Sequence, residues 1–184
     1  VFGEMLVFQR LLKQLDDPME ELALLMGKID DTIATVFRQI SMNRFEKAMH
    51  TARREEGELT TERFSELWNT EQEKLYGTSV ELTPEYRHWW CYIPHFLHAP
   101  GYVYAYAFGE LLVLALYEEY HRKPVGFADR YLSLLEAGGS EWPHELIARM
   151  GLDIQDSQFW QKGLASFERM ILRAEELYVQ VKNQ

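Results

Sequence analysis

The chain has 184 residues and a mass of 21.8 kDa, with 47% hydrophobic and 26% charged residues. This apolar content is sufficient for a packed core, which excludes an intrinsically disordered chain. The 29 acidic residues against 19 Lys and Arg give a net charge of −10, which repels phosphates and disfavours nucleic acid as a partner.

Helical spacing of apolar residues predicts an all-α protein, and no segment alternates as a strand would. The predicted helices cover, in chain order, residues 1–15, 18–56, 60–75, 84–90, 100–122, 124–136, 141–150 and 156–181. Gly57 is expected to end the second helix, and Thr60 is expected to cap the third. No interdomain linker interrupts this pattern, so we expect 1–184 to form a single all-helical region.

The first helix has no capping signal. Phe2, Met5 and Leu6 show helical spacing from the start, and no Ser, Thr, Asp or Asn precedes them. We therefore expect the chain to be the C-terminal piece of a longer protein, although removal of a leader or tag would give the same appearance.

Two features of the sequence bear on cellular location. The single cysteine, Cys91, excludes an intrachain disulfide and a multi-cysteine metal site, and it fits a reducing compartment. No basic segment followed by an apolar stretch is visible as a signal peptide. The most apolar segment, 101–117, contains Glu110 and falls short of the about 20 residues that span a membrane. We therefore expect a cytoplasmic protein with no membrane partner.

The densest group of unusual residues consists of two histidines and three tyrosines. His95 and His98 lie between two prolines, and Tyr102, Tyr104 and Tyr106 follow. On a helix Tyr102 and Tyr106 would share a face, with Tyr104 roughly opposite. A histidine and tyrosine hydroxyls that converge on one pocket can donate hydrogen bonds to a developing oxyanion. The alternative is that the aromatic rings fill a core and the histidine caps a turn.

A second constellation consists of two Glu-x-x-His pairs on predicted helices. They are Glu85 with His88 and Glu118 with His121. Two such pairs and two further glutamates, which Glu4 and Glu110 can supply, build a di-iron site in a four-helix bundle. Against this, neither pair lies in the middle of its helix, and a histidine in a last turn suits the helix dipole.

Two other pairs of residues could form a site. Glu46 and His50 are four residues apart, but residues 44–56 are mostly charged, and we interpret them as a solvated face. Cys91 lies near His95, which allows a thiol–histidine nucleophile, although cysteine is more often buried filler. The sequence contains no His-Glu-x-x-His, no Gly-rich phosphate loop and no Gly-x-Ser-x-Gly.

Three stretches of the sequence carry a family resemblance. They are IPHFLHAPGYVYAYAFG from Ile93, VFGEML at the start, and YLSLLEAGGSEWPHEL from Tyr131. Together they resemble the oligoendopeptidase F family of zinc metallopeptidases, which is related to thimet oligopeptidase. The first stretch resembles the active-site segment of that family. The initial VFGEML resembles the helix after the third zinc ligand. The sequence YLSLLEAGGSEWPHEL, from Tyr131, together with the later GLD from Gly151, resembles its C-terminal Ala-Gly-Gly-Ser-x-x-Pro signature.

The resemblance implies the multi-helix C-terminal lobe of a zincin-type oligopeptidase, as part of a larger catalytic domain. In this family a His-Glu-x-x-His helix supplies two zinc ligands and the general base, and a later glutamate completes the site. These elements are missing from the chain, so the resemblance implies Zn²⁺ only in the full-length enzyme. The implied partners are short peptide substrates.

Carried over position by position, the resemblance assigns His95, Tyr102 and Tyr106 to catalysis, as groups that stabilise the oxyanion. It assigns His98 and Tyr104 to substrate binding. In this family a phenylalanine is common at the position where this sequence has a glycine before Tyr102, which affects the expected specificity and not the class of enzyme.

Glu4 matches a family glutamate near the metal helix, which implies a supporting role beside a zinc ligand. We expect the isolated chain to be inactive. We also expect it to self-associate through the first helix, because the missing zinc helix would leave an apolar face uncovered. A di-iron oxidoreductase and a non-catalytic helical binding module are the alternatives.

Overall fold

A computed structural model describes residues 2–183 and shows an all-α protein, with no β-strand in that range. The α-helices of this range are α1 (Phe2–Leu12), α2 (Pro18–Thr32), α3 (Arg38–Glu56), α4 (Thr61–Tyr76), α5 (His95–His98), α6 (Tyr104–Arg122), α7 (Phe127–Ala137), α8 (Pro143–Ala148) and α9 (Ser157–Lys182). The fold class expected from the sequence is confirmed. Within the same range, no helix combines the length and apolarity needed to cross a membrane.

Local sequence signals fix the ends of several helices. The Thr60 hydroxyl accepts a hydrogen bond from the Arg63 amide at 3.2 Å and caps α4, as expected. The Asp156 carboxylate caps α9 through the Gln158 amide at 2.9 Å. Gly57 ends α3 with φ of +89°, a conformation that side chains with a Cβ rarely adopt.

Two predicted helices differ in their internal geometry. The single helix expected over 18–56 is interrupted by a π-helical turn at Ile33–Phe37, which separates α2 from α3. The short helix expected over 84–90 is a 3₁₀ segment that extends over Pro84–Tyr92. Apolar spacing does not distinguish these forms from an α-helix, because all three place apolar residues three to five positions apart.

The predicted start of the apolar helix at residue 100 is wrong. Helix α6 begins at Tyr104, because Gly101 has φ of +76°, which is incompatible with a right-handed helix. Residues 99–103 form a turn instead, in which the Tyr102 amide donates to the Ala99 carbonyl at 3.1 Å.

The described residues divide into two compact units. The terminal unit contains residues 2–31 and 109–183, and the central unit contains Thr32–Phe108. That 1–184 forms one region of a larger catalytic domain stays a prediction.

The terminal unit has an aromatic core and one very close helix contact. The Phe2 ring lies 5.8 Å from the Phe127 ring and 4.6 Å from the Tyr131 ring. A Cβ at Gly163 of α9 would lie 2.9 Å from the carbonyl oxygen of Leu111, so only glycine permits this approach of α9 to α6.

Glu110, the carboxylate within the apolar segment, is buried in the terminal unit and paired. Its Oε1 lies 3.0 Å from the Lys28 ammonium nitrogen. The pair offsets the high cost of a buried lone charge, which explains how the helix accommodates this residue.

The central unit is built on α3 and α4, which pack against each other, while α4 also packs against the 3₁₀ segment. Its core consists of buried apolar side chains from α3, α4 and the chain that follows. They are Met42, Phe45, Trp68, Ile93, Phe96 and Val103. Three of the six lie in residues 93–103, so the core directly anchors the segment with the unusual histidines and tyrosines.

Candidate active site

The segment 93–103 is anchored to the core of the central unit by three of its own buried apolar residues. Ile93, Phe96 and Val103 each insert into the core of the central unit. The residues beside these anchors, His95 and Tyr102, therefore face away from the core and are partly or largely accessible.

Helix α3 makes two further contacts here, one to the segment itself and one to Tyr92, the residue directly before it. The Arg38 guanidinium donates a hydrogen bond to the Tyr92 hydroxyl oxygen at 2.5 Å. Two turns further along α3, the Phe45 ring packs edge-on against the Phe96 ring at 5.2 Å. Helix α3 is thus the scaffold on which the segment is built.

Glu46 also contacts the segment, which corrects the interpretation of residues 44–56 as a solvated face. Its side chain is only 3% exposed, and its Oε1 accepts a hydrogen bond from the Gly101 amide at 2.6 Å. The sequence carried a signal for this burial, because Glu46 is four residues after Met42 and three before Met49 on the apolar stripe of α3.

The 3₁₀ segment that leads into the site is fixed by a buried polar chain. The Tyr86 hydroxyl donates to Gln72 Oε1 at 3.1 Å, and Gln72 Nε2 donates to the Ser41 hydroxyl oxygen at 2.8 Å. Burial raises the pKa of the Tyr86 hydroxyl well above its usual range, because the phenolate would lose its hydration.

Three rings come together at the surface of the central unit. His95 Nε2 lies 2.9 Å from the Tyr106 hydroxyl oxygen. The Tyr102 ring is parallel to the His95 ring at 6.4 Å and edge-on to the Tyr106 ring at 5.6 Å. We call His95, Tyr102 and Tyr106 the ring cluster. Tyr106 is 37% exposed and Tyr102 51% exposed, so the cluster is open to a ligand.

Tyr102 and Tyr106 come into contact, but not as two residues on one face of a helix, as was expected. Tyr102 lies in the turn before α6, so the two residues do not share a helix face. The turn at Gly101 places the Tyr102 ring beside the first turn of α6, where the Tyr106 ring lies.

The hydrogen bond between His95 and Tyr106 determines which proton can reach a ligand. A tyrosine hydroxyl has one hydrogen, which it can give to one acceptor. With the proton on Nε2, His95 donates to Tyr106, and the Tyr106 hydrogen is available for a substrate oxygen. The pair can then stabilise negative charge that develops on that oxygen.

Other predicted residues lie outside the ring cluster. His98, at the end of α5, is exposed, and Tyr104, at the start of α6, is 56% exposed. Cys91 is exposed in the 3₁₀ segment, so its interpretation as buried filler is wrong. Glu4 is exposed in the first turn of α1 within the terminal unit.

The residues of the two Glu-x-x-His pairs have other surroundings. Glu85 is exposed, and His88 Nδ1 lies 3.2 Å from the Ser65 hydroxyl oxygen. Glu118 forms an ion pair with Arg169. Across residues 2–183, no three His, Cys, Asp or Glu side chains are grouped so that they could hold a metal ion. The described residues therefore fit neither a di-iron nor a zinc site.

Comparison with known proteins identifies the family to which this chain belongs. The sequence matches Peptidase family M3 over residues 1–166. The chain belongs to peptidase family M3. The resemblance inferred from the segments near Ile93 and Tyr131 is thereby confirmed.

Individual relatives agree with the M3 assignment. The M3 chain is 33% identical over 175 residues to the plasmid oligoendopeptidase F of Lactococcus lactis subsp. cremoris, covering 95% of this chain and 29% of that protein. It is 30% identical over 180 residues to oligopeptidase PepF of Bacillus subtilis (strain 168), covering 98% and 27%.

A solved structure has a similar fold. The crystal structure of oligoendopeptidase-F from Enterococcus faecium matches with a TM-score of 0.89 and 30% identity, covering 97% of this chain and 34% of that one. The chain spans less than a third of the length of the two curated relatives named above, the oligoendopeptidase F and oligopeptidase PepF.

Proposed function

We propose that the M3 chain belongs to a zinc-dependent oligoendopeptidase that cleaves short peptides, and that it supplies the ring cluster to the active site. The proposal is supported by the family match and by the names of its relatives. The observation that carries it is the 2.9 Å contact between His95 and Tyr106 on an accessible surface.

The chemistry that these residues perform is hydrogen bonding to the oxygen of the scissile peptide. When a nucleophile attacks the carbonyl carbon, the oxygen acquires negative charge. The Tyr106 hydroxyl, held by the Nε2–H of His95, donates to that oxygen, and Tyr102 donates from the adjacent ring. Preorganised donors of this kind stabilise the transition state more than the ground state.

Two accessible polar side chains lie close to the cluster in the sequence. We assign these residues, His98 and Tyr104, to hydrogen bonds with the substrate backbone. We assign Glu4 to the support of a metal ligand in the whole protein. The cytoplasmic location expected from the sequence is part of the same proposal.

In this proposal the zinc ligands belong to parts of the whole protein outside this chain. The M3 chain contains no His-Glu-x-x-His, and its described residues do not fit a zinc site. We therefore assign no ligand role to this chain and derive no step through the metal. The chain alone is expected to be inactive.

The proposal is tested by two substitutions in the whole protein that contains this chain. His95→Ala and Tyr106→Phe should each lower kcat by roughly 10²–10³, the loss typical of one oxyanion donor. His144→Ala and Tyr178→Phe are matched controls, because both side chains are exposed on α8 and α9 of the terminal unit. They should leave kcat unchanged.

Elemental analysis distinguishes a loss of activity caused by the missing side chain from one caused by a loss of zinc. Each variant should contain the same amount of zinc per chain as the wild type, since neither residue is assigned to the metal. Wild-type turnover in both His95→Ala and Tyr106→Phe would overturn the assignment of the ring cluster to catalysis.

A further inference from the structure

We infer that Glu46 is a positioning residue, whose buried carboxylate fixes the turn at Gly101 and thereby holds the Tyr102 ring in the ring cluster. The structural part of this inference concerns only the central unit. Its catalytic consequence rests on the proposed function.

The surroundings of Glu46 indicate why a glutamate occupies this position. Its carboxylate is needed to accept a hydrogen bond, whereas packing alone would favour an apolar side chain. It lies on the apolar stripe of α3 between Met42 and Met49, where a hydrophobic side chain would be buried without cost. Burying a carboxylate is expensive unless hydrogen bonds compensate. Oε1 accepts from the Gly101 amide at 2.6 Å, whereas Oε2 is buried and accepts no hydrogen bond from the described residues.

One further group approaches the carboxylate. His50 Nε2, on the next turn of α3, lies 3.8 Å from Oε1 of Glu46, and the His50 side chain is half exposed. This distance is too long for a direct hydrogen bond. The Gly101 amide is therefore the principal partner of the Glu46 carboxylate.

The turn is closed by the hydrogen bond from the Tyr102 amide to the Ala99 carbonyl, and the Glu46 carboxylate ties it to α3. Pro100 has no amide hydrogen, and the Gly101 amide is taken by Glu46. Gly101 has φ of +76°, a backbone conformation that residues with a Cβ rarely adopt. The hydrogen bond to the carboxylate fixes the position of Gly101 relative to α3, and Tyr102 is the next residue in the chain.

The first test uses the 184-residue chain and does not depend on activity. Amide hydrogen exchange at Gly101, followed by NMR, should accelerate roughly 10- to 100-fold in Glu46→Ala, the range expected when a hydrogen bond to a charged group is lost. Glu46→Gln keeps an acceptor of the same reach and should restore most of the protection. The ring contact between His95 and Tyr102, seen as cross-peaks, should weaken only in Glu46→Ala.

Glu71→Ala is the matched control. Glu71 is a second buried glutamate of the central unit, on α4, and its partner is Lys74 at 2.6 Å. Its loss should leave exchange at Gly101 at the wild-type rate. Equal acceleration in both alanine variants, or none in Glu46→Ala, would overturn the inference.

Glu46→Asp covers the case in which Glu46→Ala does not fold. The aspartate keeps the charge but is shorter by one methylene and cannot reach the Gly101 amide. It should therefore show the same acceleration at Gly101, and full protection in this variant would also overturn the inference.

The second test measures the catalytic consequence in the whole protein. Glu46→Ala should lower kcat roughly tenfold with little change in KM, because a misplaced group costs mainly transition-state binding. In a Tyr102→Phe background the same substitution should have almost no further effect, because Glu46 acts through Tyr102. Full additivity of the two losses would contradict action through Tyr102.

The two tests distinguish failure of this inference from failure of the proposed function. If exchange responds as expected but Tyr102→Phe retains full activity, the positioning of the turn stands and the catalytic role of Tyr102 is wrong. If exchange at Gly101 does not respond, Glu46 does not position the turn, whatever the activity shows.

Discussion

The Phe45 ring of α3 packs edge-on against the Phe96 ring of α5, with centroids 5.2 Å apart. Phe45 also meets Trp68 of α4 edge-on at 5.3 Å, so one buried ring joins three parts of the central unit. Phe96 directly follows His95 in the chain. The position of the candidate catalytic histidine is therefore set by aromatic packing in the core.

Phe96→Ala should destabilise the protein by about 3–5 kcal/mol, because it removes a buried ring and leaves a cavity beside Phe45. Urea unfolding of the chain measures this loss. Leu97→Ala is the control, since Leu97 is 74% exposed and its loss should change the free energy of unfolding by no more than about 0.5 kcal/mol. Equal losses in the two variants would show that Phe96 does not anchor the segment.

Gly163→Ala should destabilise the protein by about 1–3 kcal/mol, because the new Cβ would lie 2.9 Å from the carbonyl oxygen of Leu111 and force α9 away from α6. Gly27→Ala is the opposite case. Gly27 lies within α2, and an added methyl group would meet nothing within 4 Å, so alanine should stabilise the protein by about 0.4–1 kcal/mol. Thermal unfolding of both variants checks the difference in sign, and a stabilised Gly163→Ala would contradict the close helix contact.

The partly buried hydroxyl of Tyr86 predicts a loss of stability in alkaline solution. Burial raises its pKa in the folded state, whereas the unfolded chain has the ordinary value near 10. Above about pH 10 the unfolded state therefore loses a proton that the folded state keeps, and the free energy of unfolding falls as the pH rises. Urea unfolding between pH 8 and pH 11 should show this fall.

Tyr86→Phe identifies the group responsible. The variant should be about 1 kcal/mol less stable at pH 7, because the hydrogen bond to Gln72 is lost. Its stability should then fall less steeply above pH 10 than that of the wild type. Burial raises the pKa of Tyr117 and Tyr131 as well, so part of the slope should persist. An unchanged slope would assign the effect to other groups.

Local features of this protein were predictable because their causes lie close together in the sequence. Thr60 caps α4 through an amide three residues away, and Gly57 ends α3 through its own backbone conformation. The residues of the candidate site were identified from their chemical types and from the family resemblance. The confirmed all-α fold follows from the spacing of apolar residues.

The geometry of the site was not predictable, because it depends on contacts between distant residues. Glu46 and Gly101 are 55 positions apart, and no local pattern indicates that one accepts a hydrogen bond from the other. The charged neighbours of Glu46 outweighed the one local signal of its burial, its position on the apolar stripe of α3. The turn at Gly101 likewise moved Tyr102 off the predicted helix, and only the folded chain shows that its ring still meets Tyr106.

Self-association through α1 stays a prediction, and the structure allows it to be tested at single residues. Leu6, Val7 and Leu11 are exposed on α1, while Phe2 and Met5 are buried in the terminal unit. A second copy of the chain would bury these three side chains, and each fully buried leucine contributes about 1.5–3 kcal/mol. Sedimentation of the chain at increasing concentration should show a monomer–dimer equilibrium.

Leu6→Glu and Leu11→Glu should each shift that equilibrium towards monomer by at least roughly tenfold, because a carboxylate would have to be desolvated in the contact. Leu172→Glu is the control, since Leu172 is similarly exposed on α9, and it should leave the equilibrium unchanged. A strictly monomeric wild-type chain would contradict self-association. A dimer that responds to Leu172→Glu and not to Leu6→Glu would place the contact on α9, because a charge disrupts an apolar contact only where it is buried.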